Sequence, residues 1–320
     1  MQLAKDVIAA DMIVTGKYLE EALQSPVGMV DRITRYLGST RGKQLRPVFS
    51  LLCARLGGAL NSVSYRAAAM VEILHTASLV HDDIVDNSAK RRNAWSINAL
   101  WKSRAAVFTG DYLFIKAVQL PLLNGDYKTL QIFSQAIEQT ISGELVQLGK
   151  TQKLNFSETT YYDIIRQKTA TLLRAACEAG AASTFSDEQL VTNMGLFGEY
   201  VGMAFQIKDD LFDYGSSDVG KPLGNDIQEK KMTLPLIYTL NHCDAATRKQ
   251  LLKIIKAGEV TEGAMDFIRT TVEEAGGFQY AIEKMLLYRQ QALDILNTFP
   301  DSPVRAALEA LVEYTTERKY

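Results

Sequence analysis

Leu74-His75-Thr76-Ala77-Ser78-Leu79-Val80-His81-Asp82-Asp83-Ile84-Val85-Asp86 closes an apolar run that begins near residue 62. Ala67, Met70, Val71, Leu74, Ala77, Ser78 and Leu79 leave almost no polar face, which predicts one long, central, buried helix over 62–86. Its end is acidic. Residues four apart stack on a helix, so Asp82 sits over Asp86, a like-charge pair that costs roughly 0.2–0.5 kcal/mol. The same Asp-Asp-apolar-apolar-Asp pattern returns at Asp209-Asp210-Leu211-Phe212-Asp213, again after a long apolar stretch. One such cluster reads equally well as a solvated helix end. Two copies point to a use for concentrated negative charge, and a hard divalent cation supplies one.

Working outward, helices are expected over residues 1–23, 30–37, 47–56, 97–101, 105–123, 127–148, 157–183 and 188–212. Residues 38–43, 88–93 and 215–228 read as loops. Shorter helices follow residue 232, with breaks near Asn241, Gly258, Gly276-Gly277 and Pro300. No proline lies between Pro121 and Pro222, and strand signals are nearly absent. The expected fold is all-α: one domain over residues 1–320, a bundle of about a dozen helices with an apolar cavity.

Hydrophobic residues make up 47% and charged residues 22%, and the net charge is −2, so nothing calls for a nucleic-acid partner. No apolar run reaches the length of a membrane span, and no leader pattern opens the chain. Cys53, Cys177 and Cys243 lack metal-ligand spacing and read as reduced thiols of a cytoplasmic protein.

Cations accompany the acidic clusters. Lys43 and Arg46 bracket a helix start, where free N–H groups favour anions. Arg91-Arg92 trails the first cluster; Lys221 and Lys230-Lys231 trail the second; Lys168-Thr169 sits among small apolar residues. Each pair alone reads as a solvated surface. Together with six aspartates they suit diphosphate groups held through magnesium, which takes one or two carboxylates and fills its shell with water and phosphate oxygens. No nucleophilic triad, nucleotide-binding glycine loop or dinucleotide fingerprint is present.

These blocks resemble the trans-isoprenyl diphosphate synthases, also called polyprenyl synthetases. Residues 74–86 with Arg91-Arg92 are similar to that family's first aspartate-rich motif, and residues 202–213 to its second. Residues 42–47, Lys168-Thr169-Ala170 and the stretch from Gly220-Lys221 through Asp226 to residues 231–235 match further blocks in the expected order. Two departures are Gln44 and Asn93, where the family more often has Arg and Gly. The resemblance implies an all-α isoprenoid synthase fold, a homodimer, and about three Mg2+ ions with substrate bound. Asp82, Asp86 and Asp209 would carry the metals, with Asp83, Asp210 and Asp213 in support. Lys43, Arg46, His75 and Arg92 would hold isopentenyl diphosphate. Arg91, Lys168, Thr169, Gln206, Lys221 and Lys231 would hold the allylic diphosphate, farnesyl or geranylgeranyl.

A tail running back along the helix from Asp82 would meet Ser78 and Ala77 first, then Leu74 and Met70. Both leading residues are small, so a long product near octaprenyl is expected; a facing helix would supply a floor at Phe133, Ile137 or Ile141. The alternatives are a shorter-chain synthase, a class I terpene cyclase, or a non-catalytic partner subunit. The plain Asp209-Asp210-x-x-Asp213 motif and the intact cation set argue against the last two. Such a product implies transient membrane contact on release.

Overall fold

The computed structural model describes residues 1–40, 42–91, 94–151, 157–215, 225–229, 231–258 and 261–317. The chain forms two compact units. The first comprises Met1–Gln135, Leu172–Gly195 and Pro300–Leu308; the second comprises Ala136–Thr171, Leu196–Phe299 and Glu309–Tyr320.

In chain order the helices are α1 (Gln2–Val7), α2 (Ala9–Leu23), α3 (Gly28–Ser39), α4 (Leu45–Gly57), α5 (Ser62–Val85), α6 (Ile97–Leu122), α7 (Tyr127–Thr151) and α8 (Glu158–Ile165). A π turn (Arg166–Ala170) leads into α9 (Thr171–Ala182), then α10 (Glu188–Phe212), α11 (Asn225–Gln228), α12 (Leu234–His242), α13 (Ala245–Ala257), α14 (Glu262–Glu274), α15 (Gly277–Leu296) and α16 (Pro303–Glu317). Sixteen α-helices among the described residues exceed the dozen expected. None is long and apolar enough to cross a membrane.

Helix α5 starts and stops for local reasons. Asn61 Oδ1 accepts the N–H groups of Val63 and Ser64, and the Asn61 N–H donates back to Ser64 Oγ. At the other end Asn87 takes the left-handed conformation, φ 48°. The Ser88 N–H then reaches Asp83 O at 2.9 Å and the Asn87 N–H reaches Ile84 O at 3.2 Å, a Schellman closure. The helix therefore ends on the acidic cluster itself. Within the first unit α5 packs against α2, α4 and α6. Met70, Val71, Ile73 and Leu74 are buried, each contributing roughly 1.5–3 kcal/mol. The buried Arg66 is held bidentately by Asp126, at 2.5 and 2.9 Å.

The second unit has its own core. Ile207, Leu234, Ile237, Leu251, Ile255, Ile268, Val272 and Ala281 are fully buried in it, and α12 packs on α8, α14 and α15.

Four expectations change. The helix over residues 1–23 breaks at Ile8 (φ −122°, ψ 25°), where the bend lets Ala4 and Ile8 both reach zero exposure. The loop 88–93 contains β1 (Lys90–Arg91), which pairs antiparallel with β2 (Ala94–Trp95). The loop 215–228 contains α11. The helix over 157–183 carries the π turn. The expected division near residue 102 is present: Lys102 has φ 70°, ψ 162° inside α6.

Candidate functional site

Each acidic cluster closes a long helix, at the negative end of its dipole, which raises the local attraction for a cation. In each cluster the second aspartate is the buried one: Asp83 and Asp210 are both 5% exposed. Asp82, Asp209 and Asp213 are half-buried and Asp86 is exposed.

In the first unit, Asp83 Oδ1 accepts from Arg91 Nε at 2.8 Å. Burial pushes the Asp83 carboxyl above its ordinary range, and the Arg91 guanidinium partly offsets this. The strand bearing Arg91 is anchored through its ladder partner, since the Tyr36 hydroxyl donates to Trp95 O at 2.7 Å. Asp83, Arg91, His75 and Gly42 line a cleft of about 590 Å³ with Tyr36 and Thr40. Lys43 and Arg46 stand at the adjacent start of α4, whose N-cap Gln44 is held at φ 53°. Left-handed backbone at a non-glycine residue costs on the order of 1–3 kcal/mol and is retained where surrounding structure enforces it.

In the second unit the structure gathers Lys168, Thr169, Gln206, Asp210 and Lys231 around one cleft of about 580 Å³. The π turn carries Lys168 and Thr169; π turns occur often at functional sites. The Thr169 hydroxyl donates to Gln206 Oε1 at 2.7 Å, and Gln206 Nε2 donates to Asp210 Oδ1 at 2.8 Å. Asp210 Oδ2 accepts from the Tyr161 hydroxyl at 2.7 Å. Lys168 Nζ pairs with Glu144 at 2.8 Å, and Lys231 pairs with Glu229. Ile164, Ile165 and Met232 add an apolar wall. A ligand with an anionic head and a greasy body matches that lining.

Arg92 and Lys221 lie outside the described residues, as do Arg41, Asn93 and Lys230. Leu74 and Ala77 are buried and Ser78 is half-buried, with its hydroxyl donating to Leu74 O; none of the three lines either cleft. Phe133 is fully buried and Ile141 is 55% exposed. Tyr161 and Glu144 join the site without belonging to any motif read from the sequence. Tyr161 lies two turns before Lys168 on the same helical run, a spacing that could have drawn attention to it. Glu144 sits on a different helix, and nothing in its local sequence marks it.

The donor set suits a hard divalent cation. Both clusters offer only carboxylate oxygens, the hard donors that divalent magnesium and calcium prefer. Among the described residues no three carboxylate, imidazole or thiol groups converge as a metal-binding set.

Comparisons with known proteins agree with this lining. The polyprenyl synthetase family model matches residues 27–272. The chain is 32% identical to heptaprenyl diphosphate synthase component 2 of Bacillus subtilis, covering 100% of this chain and 91% of that protein. It is 30% identical to octaprenyl diphosphate synthase of Escherichia coli, covering 99% of each. A solved polyprenyl synthase of Caulobacter crescentus, complexed with calcium and isoprenyl diphosphate, superposes with a TM-score of 0.92 at 33% identity over 100% of this chain and 98% of that one. The chain therefore belongs to the polyprenyl synthetase family of all-α trans-prenyltransferases.

Proposed function

We propose that this protein elongates an allylic diphosphate, farnesyl or geranylgeranyl, by successive head-to-tail condensation with isopentenyl diphosphate, giving an all-trans polyprenyl diphosphate near octaprenyl in length. The observation that carries the reading is the cleft of the second unit, where Lys168, Lys231 and the Thr169–Gln206–Asp210 chain stand beside Ile164, Ile165 and Met232.

Asp82, Asp86 and Asp209 would hold Mg2+, which supplies Lewis-acid neutralisation of the leaving diphosphate. Lys168 and Lys231 add point charges to that diphosphate, and Thr169 and Gln206 orient one another beside it. The allylic C–O bond breaks with its electron pair going to the diphosphate. The isopentenyl double bond forms the new C–C bond, and a proton leaves to the released diphosphate, so the product is again an allylic diphosphate, one isoprene unit longer. His75, Lys43, Arg46 and Arg92 would hold isopentenyl diphosphate. Asp83 would act through Arg91, because its Oδ1 accepts from that guanidinium. Residues 1–320 would work as one catalytic chain.

The active form would be a cytoplasmic homodimer with transient membrane contact as product leaves. Val107, Phe108 and Ile115 of α6 are 40%, 67% and 52% exposed, an apolar face that a second copy would cover. The experiment is purified chain with isopentenyl and farnesyl diphosphates and magnesium, products resolved by chromatography. Elongated diphosphates support the proposal and free cyclic hydrocarbon overturns it. Turnover only after a second polypeptide is added would overturn the homodimer and favour a two-component enzyme.

A further inference from the structure

Glu144 lies outside every motif read from the sequence, yet its Oε1 stands 2.8 Å from Lys168 Nζ. Two glycines fix the backbone around this pair. A Cβ on Gly143 of α7 would lie 2.7 Å from Gln167 Cβ and 3.3 Å from the Lys168 backbone nitrogen. A Cβ on Gly202 of α10 would lie 2.5 Å from Ala170 Cα. The π turn is therefore gripped closely by α7 and α10, and the Lys168 main chain is well placed. Its ammonium is not placed by that grip, because four methylenes separate it from the backbone and carry close to 2 kcal/mol of rotamer entropy. Glu144, the residue after Gly143, supplies the missing constraint.

We infer that Glu144 is a positioning residue for the allylic diphosphate: it takes one N–H of the Lys168 ammonium and presents the others to phosphate oxygens in the cleft. The inference rests on the proposed reading of that cleft. Both side chains are about one third exposed, 33% for Lys168 and 34% for Glu144. A pair so exposed adds little to fold stability, so its effect belongs in ligand affinity.

The test is calorimetric titration of the full chain with farnesyl diphosphate and magnesium, isopentenyl diphosphate being left out so that nothing turns over. Glu144→Gln keeps the size of the side chain and removes its charge. It is expected to weaken farnesyl diphosphate about threefold to tenfold, while the KM for isopentenyl diphosphate and the melting temperature stay as in the wild type. Lys168→Ala is expected to weaken binding further, and the double variant to match Lys168→Ala alone, because Glu144 acts only through Lys168. Unchanged or tighter binding by Glu144→Gln overturns the inference. So does a double variant whose loss is the product of the two single losses, or a rise in both substrates' constants. A wild type that binds farnesyl diphosphate without elongating it sinks the proposed function and leaves the binding cycle to decide Glu144. A wild type that does not bind it overturns both.

Discussion

Gln206 Nε2 donates to Asp210 Oδ1 at 2.8 Å, one helical turn away on α10. The same amide accepts from Thr169 through Oε1, so its orientation is set from both sides. Asp210 meanwhile accepts the Tyr161 hydroxyl. The second aspartate of this cluster is thus a hydrogen-bond acceptor in the lining of the cleft. Asp210→Ala should remove the carboxylate that accepts from the Tyr161 hydroxyl and the Gln206 amide, at about 1.5–3 kcal/mol for each charge-assisted hydrogen bond lost. Urea unfolding should show that loss, with Asp210→Asn less destabilised because it retains one acceptor oxygen. A midpoint unchanged in both variants would contradict this role.

Gly202 and Gly149 make a contrasting pair. A Cβ at Gly202 meets the backbone of Ala170, whereas one at Gly149 meets nothing within 4 Å. Gly202→Ala should cost about 1–3 kcal/mol and weaken farnesyl diphosphate binding by displacing the π turn. Gly149→Ala should stabilise the chain by roughly 0.5–1 kcal/mol, since it lies in α7. Thermal melts of the two variants check the sign of each.

Glu178 gives a pH dependence away from the site. Burial raises its carboxyl above the ordinary value of 4.5, and Arg174 only partly offsets the shift. The folded chain therefore holds this proton at pH values where the unfolded chain has released it. The resulting stability is full below 4.5 and is lost as pH rises through the folded value. The stability of the wild type minus that of Glu178→Gln should fall across this window and then level off. A difference that rises with pH there would contradict the burial argument.

Ala77 and Ser78 lie one turn behind Asp82, but neither lines a described cleft. If the tail passes them, Ala77→Phe and Ser78→Phe each shorten the product sharply on chromatography. Unchanged length would send the tail along the other face of α5, past Thr76 and Leu79.

Much of this molecule could be read from its sequence because its long helices are patterned locally. The limits of α5 and α10 follow from uninterrupted apolar runs that end in the aspartate clusters. The break at Lys102 falls between the helices expected over residues 97–101 and 105–123. Five cleft residues of the second unit, Lys168, Thr169, Gln206, Asp210 and Lys231, are legible as motif members in the sequence. What escaped depends on packing between distant segments. The π turn needs the glycines of α7 and α10 beside it, and the bend at Ile8 needs a core to enter. The short ladder has too few residues to show an alternating pattern. Glu144 has meaning only through Lys168, which lies 24 positions later.

The most direct measurement is incorporation of labelled isopentenyl diphosphate into farnesyl diphosphate by the purified chain, run with magnesium, with chelator, and with Asp82→Asn and Asp209→Asn. The wild type should give all-trans products longer than the starter, with incorporation abolished by chelator and reduced at least about a hundredfold in both variants, a loss of about 2.7 kcal/mol in transition-state stabilisation. Full incorporation in chelator, or by either variant, would contradict catalysis through the two aspartate clusters.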